Sequence, residues 1–197
     1  VRPRYNIAPT QNIAVIKNTA PQELDLVCWG LIPPWAKAPS SGGGLINARA
    51  ETVDRKPSFR ESFRTKRCLI LADSFYEWRR QGRCKRPYRI MRTDGAPFAF
   101  AGIWNDWWQG GQCCSTAAII TTVPNRLMAG IHNRMPVVVP REREAEWLSA
   151  CDTVLLKSLL EPISSEEWRA YEITTAINCP DNDTPAVLQA KLAEDET

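Results

Sequence analysis

The sequence predicts an α+β fold dominated by a mixed, mainly antiparallel β-sheet. Many short apolar segments are separated by turn residues, and the stretches with helical character are few and short. No regular alternation of strand and helix runs along the chain, so a doubly wound parallel sheet is not expected. Residues 12–18 and 25–31 read as the first strands, and 68–71 and 75–78 as the next pair. Residues 86–92 and 97–104 flank Thr93-Asp94-Gly95 as strands flank a turn, and the apolar run 113–122 reads as a central strand. A further strand is expected from Met135 through Val139. Helices are predicted over 57–64, briefly after Pro124, over 140–150 with acids in the first turns, over 154–160, and over 184–192 with Thr184 as N-cap. Pro39 through Gly44 forms the clearest loop, just ahead of Asn47; it suits either a substrate-facing loop or a tolerated surface insertion.

The 197 residues suit one domain spanning 1–197. With 44% hydrophobic and 24% charged residues the composition is that of a soluble globular protein, and no apolar run approaches a membrane span. Seven scattered cysteines, without a Cys-x-x-Cys pair, fit a reducing cytoplasmic compartment. One histidine and no clustered cysteines leave a metal site short of ligands, so neither metal nor cofactor is expected. We expect a monomer.

The net charge of +3 conceals an asymmetry. Residues 1–92 hold 18 Lys and Arg against 7 Asp and Glu, whereas the remainder holds 7 against 15. Between Arg79 and Arg92 there are seven basic residues and no acid. Each alone reads as a solvating side chain; together they form the footprint of a polyanion binder.

Three polar residues stand out as chemistry. His132 sits in Ile131-His132-Asn133-Arg134-Met135-Pro136, Asn47 in Leu45-Ile46-Asn47-Ala48-Arg49-Ala50-Glu51, and Glu77 in Ser74-Phe75-Tyr76-Glu77-Trp78. Glu77 either points outward from a half-buried strand or, desolvated by Tyr76 and Trp78, serves as a proton carrier near neutral pH. His132 alone suits a structural hydrogen bond, and Asn47 alone a cap or a turn. If both backbones are extended, Arg134 shares a face with His132 and Arg49 with Asn47, each pair suiting an anionic substrate.

Five ordered motifs carry a resemblance over nearly the whole chain: Arg4-Tyr5-Asn6-Ile7-Ala8-Pro9-Thr10, Trp29 through Ala36, Leu45 through Thr52, Cys68 through Trp78, and Ile131 through Pro136. In these the chain resembles the SOS-response-associated peptidase (SRAP) family. The resemblance implies a sheet curled into a pseudo-barrel with short peripheral helices. It also implies a sensor of abasic sites in single-stranded DNA, which removes its own initiator methionine and crosslinks to the lesion as a thiazolidine through the exposed N-terminal cysteine. On the matching positions, Asn47 would hold the N-terminal amine. Glu77 would move protons during sugar opening and imine formation, and His132 would act on the sugar oxygen or a phosphate. Arg49, Arg134 and Thr121 would bind flanking phosphates, and Pro9 and Trp35 would line the DNA path. Ala36 stands where some members carry a second tryptophan, which weakens the expected wedge between bases.

Family members begin Met-Cys-Gly-Arg, a few dozen residues before the Tyr-Asn-x-Ala-Pro motif, whereas this sequence opens at Val1 just ahead of it. None of the seven cysteines offers a free α-amine, so we expect the native N-terminal segment to be omitted and the sequence as given to be inactive in crosslinking. Two alternatives remain open. One is a thiol peptidase or amidase in which His132 activates an internal cysteine such as Cys68 or Cys84; the other is a non-covalent single-stranded DNA-binding module. The acidic end, Glu194 through Thr197, reads as a solvated tail.

Overall fold

The computed structural model describes residues 2–37 and 44–191. Strands β1 (Asn12–Lys17) and β2 (Leu24–Trp29) pair antiparallel, and β1 pairs on its other edge with β4 (Arg67–Ala72). The long strand β7 (Phe98–Gln109) lies antiparallel to β4 and to β8 (Gln112–Thr122), and β8 returns to β2 through a parallel pairing. The order β7-β4-β1-β2-β8 therefore closes on β7, so these five strands leave no free edge between them. Three short strands extend the ring: β3 (Asn47–Arg49) parallel to β8, β9 (Met135–Pro136) antiparallel to β8, and β10 (Val138–Val139) antiparallel to β7. A second antiparallel sheet has the order β11-β6-β5, from β5 (Ser74–Gln81), β6 (Cys84–Arg92) and β11 (Trp168–Glu172).

The second half of β8, Thr116–Thr122, is buried on both faces, which explains its unbroken apolar run. Ile13, Val15, Val27, Ile70, Phe100, Trp104 and Ile119 join one cluster, to which Ile90 and Trp168 of the small sheet belong. Leu69, Ala101, Ile103, Ala118 and Ile120 form another with Phe63 of α1 (Arg60–Thr65), Trp147 of α3 (Glu144–Ser149) and Leu156 of α4 (Thr153–Ser158). Arg67 ties the helices to the sheet. The residue is 2% exposed, and its guanidinium donates to the carbonyls of Phe63, Arg64, Trp147, Leu148 and Ala150 at 2.6–3.3 Å, supplying donors that the last turns of α1 and α3 lack.

Several expectations are corrected. Within the expected helix 184–192, the described residues 184–191 do not form an α-helix: they hold a 3₁₀ turn, Pro185–Leu188, and Gln189 is already extended before Ala190 bridges to Ile173, while Leu192 lies outside the described residues. In the region 140–150 a 3₁₀ turn, Arg141–Arg143, precedes α3. The strand expected over 135–139 divides at Val137, which donates to Ile120 on one side and accepts from Ala101 on the other. β7 runs five residues past its expected end because it stays paired with β8 out to Gln109 opposite Gln112, and buried Asn105 within that stretch donates to the Ile32 carbonyl and accepts from Lys66. β11 has no counterpart among the predicted elements. The loop at 39–44 lies outside the described residues except for Gly44, as does the tail 194–197.

Candidate functional site

The ring and the small sheet border one large open groove of roughly 2090 Å³, and the elements that frame it deliver the polar residues singled out in the sequence. β3 is extended, as the shared face of Asn47 and Arg49 requires: Ala48 between them is buried, while both of them are exposed and line the groove. The position of β3 is set by its parallel pairing with Ile119, Ile120 and Thr121, and by the Trp29 indole, which donates to the Ile46 carbonyl at 3.0 Å.

Glu77 enters from β5, opposite Tyr88 of β6. Burial raises the pKa of its carboxyl above the ordinary carboxylate range, against the opposing pull of His132 and of the Trp78 amide. His132 enters from the turn after α2 (Arg126–Ala129). Asn125 caps that helix by accepting from the Met128 amide at 2.9 Å, and the His132 amide donates to the Met128 carbonyl at 2.8 Å. Nδ1 of His132 then stands 3.8 Å from Oε1 of Glu77.

The backbone between His132 and Arg134 is not extended but bends at Asn133, which corrects the alternation expected there. The bend folds Arg134 back onto the imidazole: Nδ1 lies 3.3 Å from the Arg134 amide and 3.1 Å from its carbonyl. An unprotonated Nδ1 accepts from that N–H, whereas a protonated Nδ1 donates to the carbonyl and faces Glu77. The ring can thus hold a proton at Nδ1 or release it without leaving its place.

The Arg134 guanidinium also reaches the groove, but it is not idle. It donates to both carboxylate oxygens of Glu51 at 2.5 and 2.9 Å and to the Thr121 carbonyl at 2.5 Å. The Glu51 carboxyl is held below its ordinary value chiefly by that hydrogen bond. Thr121 and Pro9 line the groove as well. Trp35 does not; it is 58% exposed and lies apart from the groove's lining. Cys68 and Cys84 are also outside the lining. Cys68 is fully buried, with its thiol pKa pushed strongly upward, and Cys84 sits at the exposed end of the β5–β6 hairpin. The geometry gives neither thiol to His132.

The sequence did not disclose what the Arg4-Tyr5-Asn6 motif does. Asn6 is buried and donates to the carbonyls of Ile177 and Cys179, while the amides of Tyr5 and Asn6 donate to Asp183 and the Arg4 guanidinium pairs with the same carboxylate. Tyr76 adds a hydrogen bond to the Tyr5 carbonyl at 2.5 Å. The motif clamps the N-terminal strap to the C-terminal one and so supports the groove wall behind Glu77. Among the described residues no group of three His, Cys, Asp or Glu could hold a metal ion, and no helix is long and apolar enough to cross a membrane.

Comparison with known proteins gives a consistent result. Residues 1–180 match the family model described as SOS response associated peptidase (SRAP). The chain is 45% identical over 193 residues to the abasic site processing protein YoqW of Bacillus subtilis, covering 95% of this chain and 86% of that protein. It is 28% identical over 224 residues to the abasic site processing protein HMCES of Xenopus tropicalis, covering 96% and 66%. A crystal structure of a Bacteroides thetaiotaomicron protein superimposes with a TM-score of 0.80 at 33% identity, covering 96% of this chain and 82% of that one.

Proposed function

Since the chain belongs to the SOS response associated peptidase family, we propose that it processes abasic sites in DNA, binding the lesion in single-stranded form and capturing it covalently. The observation that carries this reading is the apposition of Glu77 and His132, 3.8 Å apart, in a groove that also holds Asn47, Arg49 and Arg134.

The proposed chemistry needs a native N-terminal cysteine upstream of Val1. Its α-amine, with a pKa near about 7.7, and its thiol, near about 8.5, are both partly nucleophilic at neutral pH. The ring-opened sugar presents an aldehyde. The amine adds to the aldehyde carbon, water leaves, and an imine forms; the thiolate then adds to the imine carbon and the nitrogen takes up a proton, closing a thiazolidine. Glu77, whose burial favours the protonated form, is suited to deliver the proton that converts the carbinolamine hydroxyl to water and to take one back. His132 is suited to take or give the proton of the sugar ring oxygen, and Asn47 to hold the attacking amine. The same groups would serve removal of the initiator methionine.

Arg49, Arg134 and Thr121 are assigned to phosphates beside the lesion, and Pro9 to the wall of the strand's path. Trp35, exposed outside the groove, is assigned to a flanking base, where stacking contributes roughly 1–3 kcal/mol. The partner is single-stranded DNA bearing an abasic site, and the protein acts as a monomer.

The test is a denaturing gel of the full-length protein incubated with single-stranded DNA carrying one abasic site, beside an N-terminal Cys→Ala variant. A shifted band only with the intact cysteine supports covalent capture. Native binding without any shifted band would leave a non-covalent DNA-binding module.

A further inference from the structure

The end of the β5–β6 hairpin carries charge that the chemistry at Glu77 does not use. Arg79 stands directly opposite Arg86, and Arg80 directly opposite Lys85, with Arg83 in the turn beside Gly82 (φ 60°). Like charges facing each other across an antiparallel pair destabilise it. Little in the chain compensates: Arg86 pairs with Glu172 at 3.4 Å and Arg79 stacks over Tyr88 at 5.0 Å, while among the described residues the side chains of Arg80, Arg83 and Lys85 have no acidic or hydrogen-bonded partner. All three are exposed. Arg79, Arg80 and Lys85 nevertheless line the same groove as Glu77 and His132, so the charge is continuous with the site.

We infer that the β5–β6 hairpin end is a second phosphate-binding surface, which grips the DNA strand several nucleotides away from the abasic site. The inference rests on the reading of the groove as a DNA site. Strand geometry sets the reach: from Glu77 to the Arg80–Lys85 pair is three residues and to the end of β5 at Gln81 four, or roughly 10 and 14 Å at about 3.4 Å per residue, with Arg83 in the turn just beyond. With one phosphate per roughly 3.4 Å of stacked strand, that spans about three to four nucleotides. Guanidinium and ammonium groups on an exposed ribbon contact phosphates without reading bases, so the grip is independent of sequence. Bound phosphates relieve the cross-strand repulsion that the free hairpin carries.

The experiment compares full-length protein with its R80Q/R83Q/K85Q variant on single-stranded DNA containing a tetrahydrofuran abasic analogue. One probe extends about ten nucleotides on each side of the analogue and the other a single nucleotide. Counterion release predicts that each lost phosphate contact lowers the slope of log affinity against log salt by about 0.7. The variant should lose tenfold or more in affinity for the long probe at low salt, with its slope reduced by about 2, and bind the short probe as the parent does. Unchanged affinity and slope on the long probe overturn the hairpin surface while leaving the lesion site standing. Equal loss on both probes also overturns it, because the hairpin would then act at the lesion itself. A long-probe loss in a protein that binds intact and abasic DNA alike would instead keep the hairpin surface and overturn the lesion site.

Discussion

Arg134 and Glu51 meet as a two-pronged ion pair on the rim of the groove, with both carboxylate oxygens within 2.9 Å of the guanidinium. A phosphate seeking Arg134 finds a carboxylate already there. Glu51 is 47% exposed on its side chain, so the pair itself contributes little to stability. Its negative charge beside an incoming phosphate costs binding about 1 kcal/mol at a separation of ~6 Å and an intermediate dielectric. Glu51→Gln should therefore tighten single-stranded DNA binding by roughly threefold to tenfold at low salt, since the Thr121 carbonyl still holds the guanidinium. Fluorescence anisotropy titration checks this; weaker binding would identify Glu51 as a support that orients Arg134.

Arg67 is a buried cation with five carbonyl partners. Burial lowers its pKa, yet a guanidinium stays charged at any ordinary pH. Arg67→Lys removes the planar fork and can satisfy at most three of those carbonyls, and Arg67→Met satisfies none. Denaturant unfolding should show losses of about 2–3 kcal/mol for Lys and about 4 kcal/mol or more for Met. A loss below 1 kcal/mol for Arg67→Met would mean that water reaches those carbonyls.

Local pattern disclosed most of the strands and the three polar residues, because alternation and turn residues act over a few positions. Asn47 and Arg49 came out on one face of β3 for that reason. The relationships that remained hidden join residues far apart in the chain. Asn6 reaches Ile177, and Arg134 reaches Glu51, with no short-range sign of either. The segment 184–191 has the composition of a helix but settles into a strap, held by the bridge from Ala190 to Ile173 and by Asp183 gripping Tyr5 and Asn6. Trp35 carried a motif yet stands outside the groove, in a turn rather than on a strand that the alternation of side chains could have placed.

Gly102 sits where β7 crosses β4, directly opposite Cys68. A Cβ there would meet the Cys68 sulfur and the Ile70 Cδ1 at 2.7 Å each. Both side chains are buried, so neither can swing away freely. Gly102→Ala should cost about 1–3 kcal/mol of stability, and G102A/C68A should recover part of it by vacating the sulfur's space. Urea unfolding of the two variants checks the coupling; strict additivity would place the strain elsewhere.

Glu77 links stability to activity through its raised pKa. A carboxyl that binds its proton more tightly when folded stabilises the fold fully below its unfolded pKa, about 4.3, and loses that contribution as pH rises through the folded value. At a pH above the folded pKa the ionised, half-buried carboxylate is thus a net liability, and there Glu77→Gln should raise the melting temperature. The gain should shrink as the pH falls through the folded pKa and vanish below about 4, where both proteins present an uncharged side chain. Crosslinking to abasic DNA should meanwhile fall by at least 100-fold, since an amide carries no transferable proton at this position. Thermal melts from pH 4 to 8 beside single-turnover crosslinking decide the matter. A Glu77→Gln variant less stable than the parent at the alkaline end of that range would show that the attraction of His132, 3.8 Å away, outweighs the burial.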